Sequence, residues 1–247
     1  MSINVVKASG EIEPFSEEKV RASLRRAGAD NNLTSQLVSH VKGELYNGIP
    51  TKVIYSHIFD LLRKEKSRLS SRYNLKEAIM QLGPTGFPFE KFVAGILGFS
   101  GYSCEVGKIV RGKCVAHEID VAAQKDNERL MIECKYHNQP GAKTDIKTAL
   151  YVYARFLDVQ ESFNQGWLVT NTKATTDARV YAECVGLKLI SWDWPPENSL
   201  RFLIEKSGLH PITALNFLDE GEKKDLLAKG VVFQKDLPRE FIRSKGE

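Results

Sequence analysis

The chain has 247 residues, 42% hydrophobic and 27% charged, enough for one large domain or two to three small ones. No apolar run approaches the roughly 20 residues of a membrane helix, and the N-terminus has no signal-peptide h-region, so no membrane partner is expected. The four cysteines are scattered without a CxxC pair, which argues against a zinc ribbon or thioredoxin-like motif and predicts a cytoplasmic protein. The net charge is +4, and the excess falls in residues 1–85, with 13 Lys/Arg against 9 Asp/Glu. That excess is compatible with a phosphate-bearing ligand.

Ile3 to Lys7 reads as a strand, Ser9-Gly10 as a turn and Glu11 to Glu13 as a partner strand. Ser16 is a candidate N-cap, with Glu17 and Glu18 in the first turn of a helix that stops at Gly28. Three further helices are expected at about 35–46, 52–66 and 71–82, the last ended by Gly83-Pro84. This predicts a β-hairpin on a small helical bundle. Val5 to Gly10, Glu13-Pro14-Phe15-Ser16 and Lys19-Val20 resemble the opening of the ATP-cone family, a small nucleotide-binding regulatory module. The resemblance implies ATP or dATP as effector, held by Lys7, Gly10, Lys19 and Thr51. The family's arginine and aspartate are replaced by Ala8 and Ser9.

A linker, Gly83 to Gly86, leads to a helix from about Pro88 to Leu97 that carries Glu90. An extended stretch then enters Glu118 to His137, which reads as two strands joined by Asp126-Asn127. In that register Asp120 faces Glu133 and Glu118 faces Lys135. Alternation puts Ile119, Val121, Ala123, Leu130, Ile132 and Cys134 on one apolar face, and Asp120, Glu133 and Lys135 on the other. Facing carboxylates about 4 Å apart repel by ~4 kcal/mol at an effective dielectric of about 20. A divalent cation turns that penalty into binding; Mg²⁺ takes one or two carboxylates plus waters and phosphate oxygens. The same charges would also suit a plain solvated hairpin. A helix at about 145–159, a strand at 167–170, a helix at about 177–185 and a strand at 187–192 complete a mixed sheet flanked by helices.

The order Phe89-Glu90-x-x-Val93-Ala94, Gly101-Tyr102, Glu118-Ile119-Asp120-Val121, Glu133-Cys134-Lys135-Tyr136 resembles the Mrr-type restriction-endonuclease-like fold. The resemblance implies hydrolysis of DNA with Mg²⁺ or Mn²⁺. Asp120 and Glu133 would hold the metal, Lys135 would serve the attacking water, and Glu90 would support the site. His117 and His137 show no metal-ligand spacing, and no G-x-x-x-x-G-K-[ST] loop is present.

After Trp194-Pro195-Pro196, short helices are expected at about 197–206, 211–218 and 220–229, followed by a charged tail, Arg239 to Glu247. They resemble helix-hairpin-helix modules, which hold DNA backbone through loop amides, and equally suit a docking bundle. The expected architecture is a multidomain α+β and α/β chain. It comprises an ATP-cone at 1–82, a restriction-endonuclease-like core at 86–195 and a helical module at 196–247. The expected function is a metal-dependent DNA endonuclease of the restriction class, with DNA and a nucleoside triphosphate as partners and a homodimer admitted. A repair or junction-resolving nuclease, and a nucleotide-responsive DNA-binding regulator that does not cut, stand as alternatives.

Overall fold

The computed structural model describes residues 3–65, 67–238 and Phe241. Two compact units are present: Met1–Ala78 with Ala214–Asn216, and Ile79–Thr213 with Phe217–Glu247. The charged tail expected at 239–247 lies outside the described residues, apart from Phe241.

In the first unit, β1 (Asn4–Val6) pairs antiparallel with β2 (Ile12–Pro14). Helix α1 (Glu17–Ala27) starts where expected, because the Ser16 side chain accepts the Lys19 N–H, and Gly28 closes it at φ 93°. Helix α2 (Asn31–Glu44) begins four residues earlier than the sequence suggested, since Asp30 caps it through the Leu33 N–H. A strand missed in the sequence, β3 (Ile49–Pro50), pairs parallel with β1, giving the order β2-β1-β3. Helix α3 (Thr51–Glu65) follows. The single helix expected at 71–82 is instead α4 (Ser67–Tyr73) and α5 (Leu75–Met80), with a break at Asn74. Leu24, Val38, Ile49, Ile58 and Leu62 form the buried core.

The second unit opens with α6 (Phe87–Phe99), then β4 (Ser103–Arg111), β5 (Ala116–Lys125) and β6 (Glu128–Lys135). The hairpin has the expected register, Lys125 opposite Glu128 and Val121 opposite Ile132. Asp126 makes the turn at φ 50°. Next come β7 (Lys143–Thr144), α7 (Ile146–Asp158), β8 (Gln165–Thr170), β9 (Lys173–Ala174), α8 (Thr176–Val185) and β10 (Lys188–Ile190). The sheet order is β10-β8-β6-β5-β4, with β10, β8 and β6 parallel and β6, β5 and β4 antiparallel. Helices α7 and α8 bury Ala149, Val152, Ala178 and Ala182 against Ala122, Met131 and Leu168. Alternation sends Val121, Leu130 and Ile132 to the other face, and α6 lies against β4, β5 and β6. Both faces are therefore apolar in mid-sheet, unlike the one-sided pattern read from the hairpin alone.

The C-terminal helices are α9 (Leu200–Ser207) and α10 (Glu220–Ala228), the latter started by a capping box between Asp219 and Glu222. Residues expected as a helix at 211–218 form only a 3₁₀ turn, Ile212–Ala214. Pro211 bridges to Phe233, and Phe233 stacks on Phe92 of α6 at 5.0 Å. Gly95 makes room for that ring: a Cβ there would sit 2.3 Å from it. This stretch is thus fastened to the helix that carries Glu90. The linker, too, is not a free tether. Gly83 N–H donates to the Tyr136 hydroxyl at 2.8 Å, and that hydroxyl donates to the Met80 carbonyl at 2.5 Å.

Candidate active site

The site forms where β5 leaves its neighbours. Its ladder with β6 ends at Val121–Ile132, and its ladder with β4 skips the pair Gly107–Asp120, with Gly107 at φ 68°. The strand twists there, for Ile119 and Ala122 share one buried cluster although strict alternation would separate them. Ile119 consequently lies on the α7 side and not beside Val121 as the sequence pattern suggested. In the gap, the Asp120 carboxylate accepts the Cys134 N–H at 2.7 Å, taking a backbone donor that the ladder no longer uses.

Glu133 and Lys135 are the last alternate residues of β6, paired with Leu168 and Thr170 of β8, so they stand at the carboxyl end of two parallel strands. Such an end is where open α/β sheets place ligands. Lys135 is exposed, and among the described residues no ion pair joins it to Glu118. Glu90 projects from the first turn of α6. The electrostatics tie these groups together. Burial, and then the charges of Asp120, Glu118 and Glu133, push the Glu90 carboxyl up to about 7. Burial and Asp120 also push Glu133 up to about 7, against the pull of Arg155 and Lys135. Asp120 is raised by burial and held back by the Cys134 N–H and Arg155. Three carboxyl groups that resist ionisation beside one another are a functional-site signature.

Sequence reasoning missed Arg155. From α7 its Nη1 donates to Glu133 Oε2 at 2.5 Å and its Nη2 to the Glu118 carbonyl. The Arg155 and Glu133 side chains are only 11% and 18% exposed, and Arg155 Nε is buried without a partner among the described residues. The signal was present: Arg155 follows Val152 by one helical step, at the edge of the buried stripe, where a cation needs a counter-charge. His137 is held away by Thr144 Oγ1 at 3.1 Å, part of a threonine chain through Thr170. His117 binds Asp158 at 2.7 Å. Neither is brought to the carboxylates by these bonds.

The donor set suits a hard cation. Asp120 keeps one oxygen beyond its bond to Cys134, and Glu133 one beyond its bond to Arg155. Among the described residues no three His, Cys, Asp or Glu side chains could hold a metal by themselves. Mg²⁺, which uses one or two carboxylates and fills its remaining positions with water and phosphate, fits that arrangement.

The first unit brings together only part of its expected set, Lys7 with Lys19 and Lys19 with Thr51. Lys7 and Lys19 meet at Glu13, at 2.7 and 2.8 Å, and Lys7 reaches Glu11 at 3.2 Å. Glu13 was not expected there. It sits on β2 opposite Val5, and its carboxyl is lowered by the two lysines. Lys19, Thr51, Phe15 and Tyr55 line one cleft of about 150 Å³, below the roughly 300 Å³ of ordinary ligand pockets. Lys7 and Gly10 are not part of that lining; Gly10 holds the β1–β2 turn at φ 83°. The larger cleft of the second unit, about 470 Å³ between Ser103 and Phe163, contains none of Glu90, Asp120, Glu133 or Lys135.

Comparison with known proteins finds two family matches along the chain. Residues 84–193 match the restriction endonuclease family Mrr_cat, and residues 3–73 match the ATP cone domain. An uncharacterized protein of Archaeoglobus fulgidus is 45% identical over 146 residues, covering 59% of this chain and 83% of that protein. The crystal structure of a protein of unknown function, AF1548, is 41% identical with a TM-score of 0.57, covering 66% of this chain and 90% of that one. The chain therefore belongs to the Mrr-type restriction endonuclease family through residues 84–193 and carries an ATP cone domain at residues 3–73.

Proposed function

We propose that this protein is a metal-dependent endodeoxyribonuclease of the restriction class whose cleavage responds to ATP or dATP. The observation that carries the reading is the meeting of Asp120, Glu133 and Lys135 where β5 and β6 part, with Glu90 alongside. Asp120 and Glu133 would hold Mg²⁺ or Mn²⁺, which when bound polarises a phosphoryl oxygen and lowers the pKa of water. Lys135, exposed at the end of β6, would orient the attacking water and offset charge developing on the phosphate. Arg155 keeps one Glu133 oxygen occupied and so fixes the direction of the other. Glu90, with a carboxyl near 7, can hold or release a proton beside the site at neutral pH.

For the nucleotide half, the supporting observation is the convergence of Lys7 and Lys19 beside the Thr51 cleft. Two ammonium groups can neutralise part of a triphosphate once Glu13 yields them. Without an arginine at Ala8, no bidentate phosphate donor comes from that position, so affinity should be modest. The test incubates purified protein with modified, unmodified and branched duplexes, with and without Mg²⁺, Mn²⁺ and ATP. Metal-dependent scission of duplex DNA supports the reading. Scission confined to branched DNA would favour junction resolution, and DNA binding without scission would favour a regulator.

A further inference from the structure

Strand β6 ends at Lys135, and its ladder to β8 ends with the pair Lys135–Thr170. Beyond that pair the β8 backbone has other partners. The Thr172 carbonyl accepts the Trp192 N–H at 2.9 Å, and the Thr172 N–H goes to Thr170 Oγ1 at 3.3 Å. On the β6 side, residues 138–141 form an exposed turn. Lys135 thus stands between an ordered ladder and a surface segment, where strand ends open most easily. Its side chain adds freedom, because an ammonium on a flexible four-carbon stem is directed mainly by the backbone that carries it.

One side chain closes this gap. Asn171 is fully buried, and its amide grips the His137 backbone twice. The His137 N–H donates to Asn171 Oδ1 at 2.8 Å, and Asn171 Nδ2 donates to the His137 carbonyl at 2.7 Å. Nδ2 also meets Met80 Sδ at 3.3 Å, so both of its hydrogens are used. The amide stands in for the backbone partner that β8 no longer offers. The His137 ring is fastened as well, through Thr144 Oγ1 to Thr170 Oγ1, the side chain of the residue paired with Lys135. The task is specific to asparagine. Alanine brings neither group, aspartate no donor, and glutamine one methylene too many for a closed site.

We propose that Asn171 is a positioning residue that holds the end of β6 and so keeps the Lys135 ammonium beside Asp120 and Glu133. It acts through Lys135 and touches neither metal nor DNA in this role. A buried amide also stabilises the fold, but this one acts two residues after Lys135, at the point where the ladder gives out. The consequence for catalysis rests on the nuclease reading; the grip on Lys135 can be measured without it.

A double-mutant cycle on DNA cleavage tests the proposal, using Asn171→Ala, Lys135→Met and the two combined, each checked for folding by thermal melting. Asn171→Ala should lower kcat about tenfold and leave KM within about twofold, because small misplacements of a catalytic group are costly in rate. In the Lys135→Met background the same change should have no further effect. Asn171→Ser, whose hydroxyl can keep one of the two bonds, should recover part of the loss, and it replaces the alanine variant if that one does not fold. A second readout is independent of cutting. After reductive methylation with carbon-13-labelled formaldehyde, the Lys135 methyl resonance, assigned by its absence in Lys135→Met, should shift in Asn171→Ala while those of Lys7 and Lys188 stay in place. Equal slowing in both backgrounds would give Asn171 a general structural role and overturn the proposal. So would a raised KM at unchanged kcat, or a Lys135 resonance that does not move. A wild type that binds DNA and Mg²⁺ without cutting would sink the nuclease reading, and the Lys135 resonance would then decide the grip by itself.

Discussion

At the residue scale, the site is a set of negative groups held together at a cost, with Arg155 as the built-in counter-charge. Glu133 has a folded-state carboxyl near 7 against about 4.5 when unperturbed. The folded state thus binds a proton that the unfolded chain has already lost, and metal-free stability should fall as pH rises from about 4.5 to 7. For a side chain 18% exposed the cost at neutral pH is about 3 kcal/mol as an upper bound. In metal-free buffer, Glu133→Gln should flatten the melting temperature between pH 5 and 7 relative to wild type, and Mg²⁺ should raise only the wild type. A parallel pH course in the two proteins would show that Glu133 is not strained. Arg155→Met leaves Glu133 without its cation and should destabilise the metal-free protein by about 3 kcal/mol in urea titration, while Arg155→Lys recovers part of it. Equal stability of the two variants would mean that the pair carries no structural weight.

At the element scale, most of the architecture was legible where local chemistry decides. Ser16, Asp145 and Thr175 cap their helices as side-chain acceptors, Gly28 and Gly186 end theirs in the left-handed region, and Asp126-Asn127 sets the hairpin register. What escaped was decided by tertiary contact. β3 is only two residues long and exists because β1 offers a parallel edge. The break between α4 and α5 at Asn74 has no glycine or proline to announce it. Residues 211–218 look helical in isolation, yet Pro211 pairs with Phe233 and Ile212 N–H goes to the Val232 carbonyl, so the backbone is used elsewhere. The hairpin positions of Asp120, Glu133 and Lys135 were readable from spacing, but the contacts of Arg155 and Glu13 needed the fold to bring distant elements together. The Phe233–Gly95 contact yields a sharp expectation: Gly95→Ala should cost about 1–3 kcal/mol in denaturant unfolding, because the ring must move. No loss would show that Phe233 does not dock there. Deleting the chain beyond residue 196 would uncover α6, so weakened DNA binding after such a deletion would not by itself identify a DNA grip.

At the scale of the whole molecule, no helix among the described residues is long and apolar enough to cross a membrane. The chain joins an ATP cone domain to an endonuclease domain, and nucleotide can alter cleavage only by binding two arrangements unequally. Tyr136, next to Lys135, takes both Met80 and Gly83 into its hydrogen bonds, so the first residues of the second unit are fastened beside Lys135. Tyr136→Phe should leave ATP binding unchanged by calorimetry while reducing the effect of ATP on cleavage; an unchanged effect would place the coupling elsewhere. The central claim is that the Asp120, Glu133 and Lys135 cluster cuts DNA with a divalent cation. Its most direct measurement is a plasmid-cleavage time course in Mg²⁺ with wild type, Asp120→Asn and Lys135→Met, accompanied by a DNA-binding titration of each. The account predicts that wild type cuts, that chelation stops it, and that both variants still bind DNA but cut at least about 10²-fold more slowly. Variants that cut at the wild-type rate would contradict it.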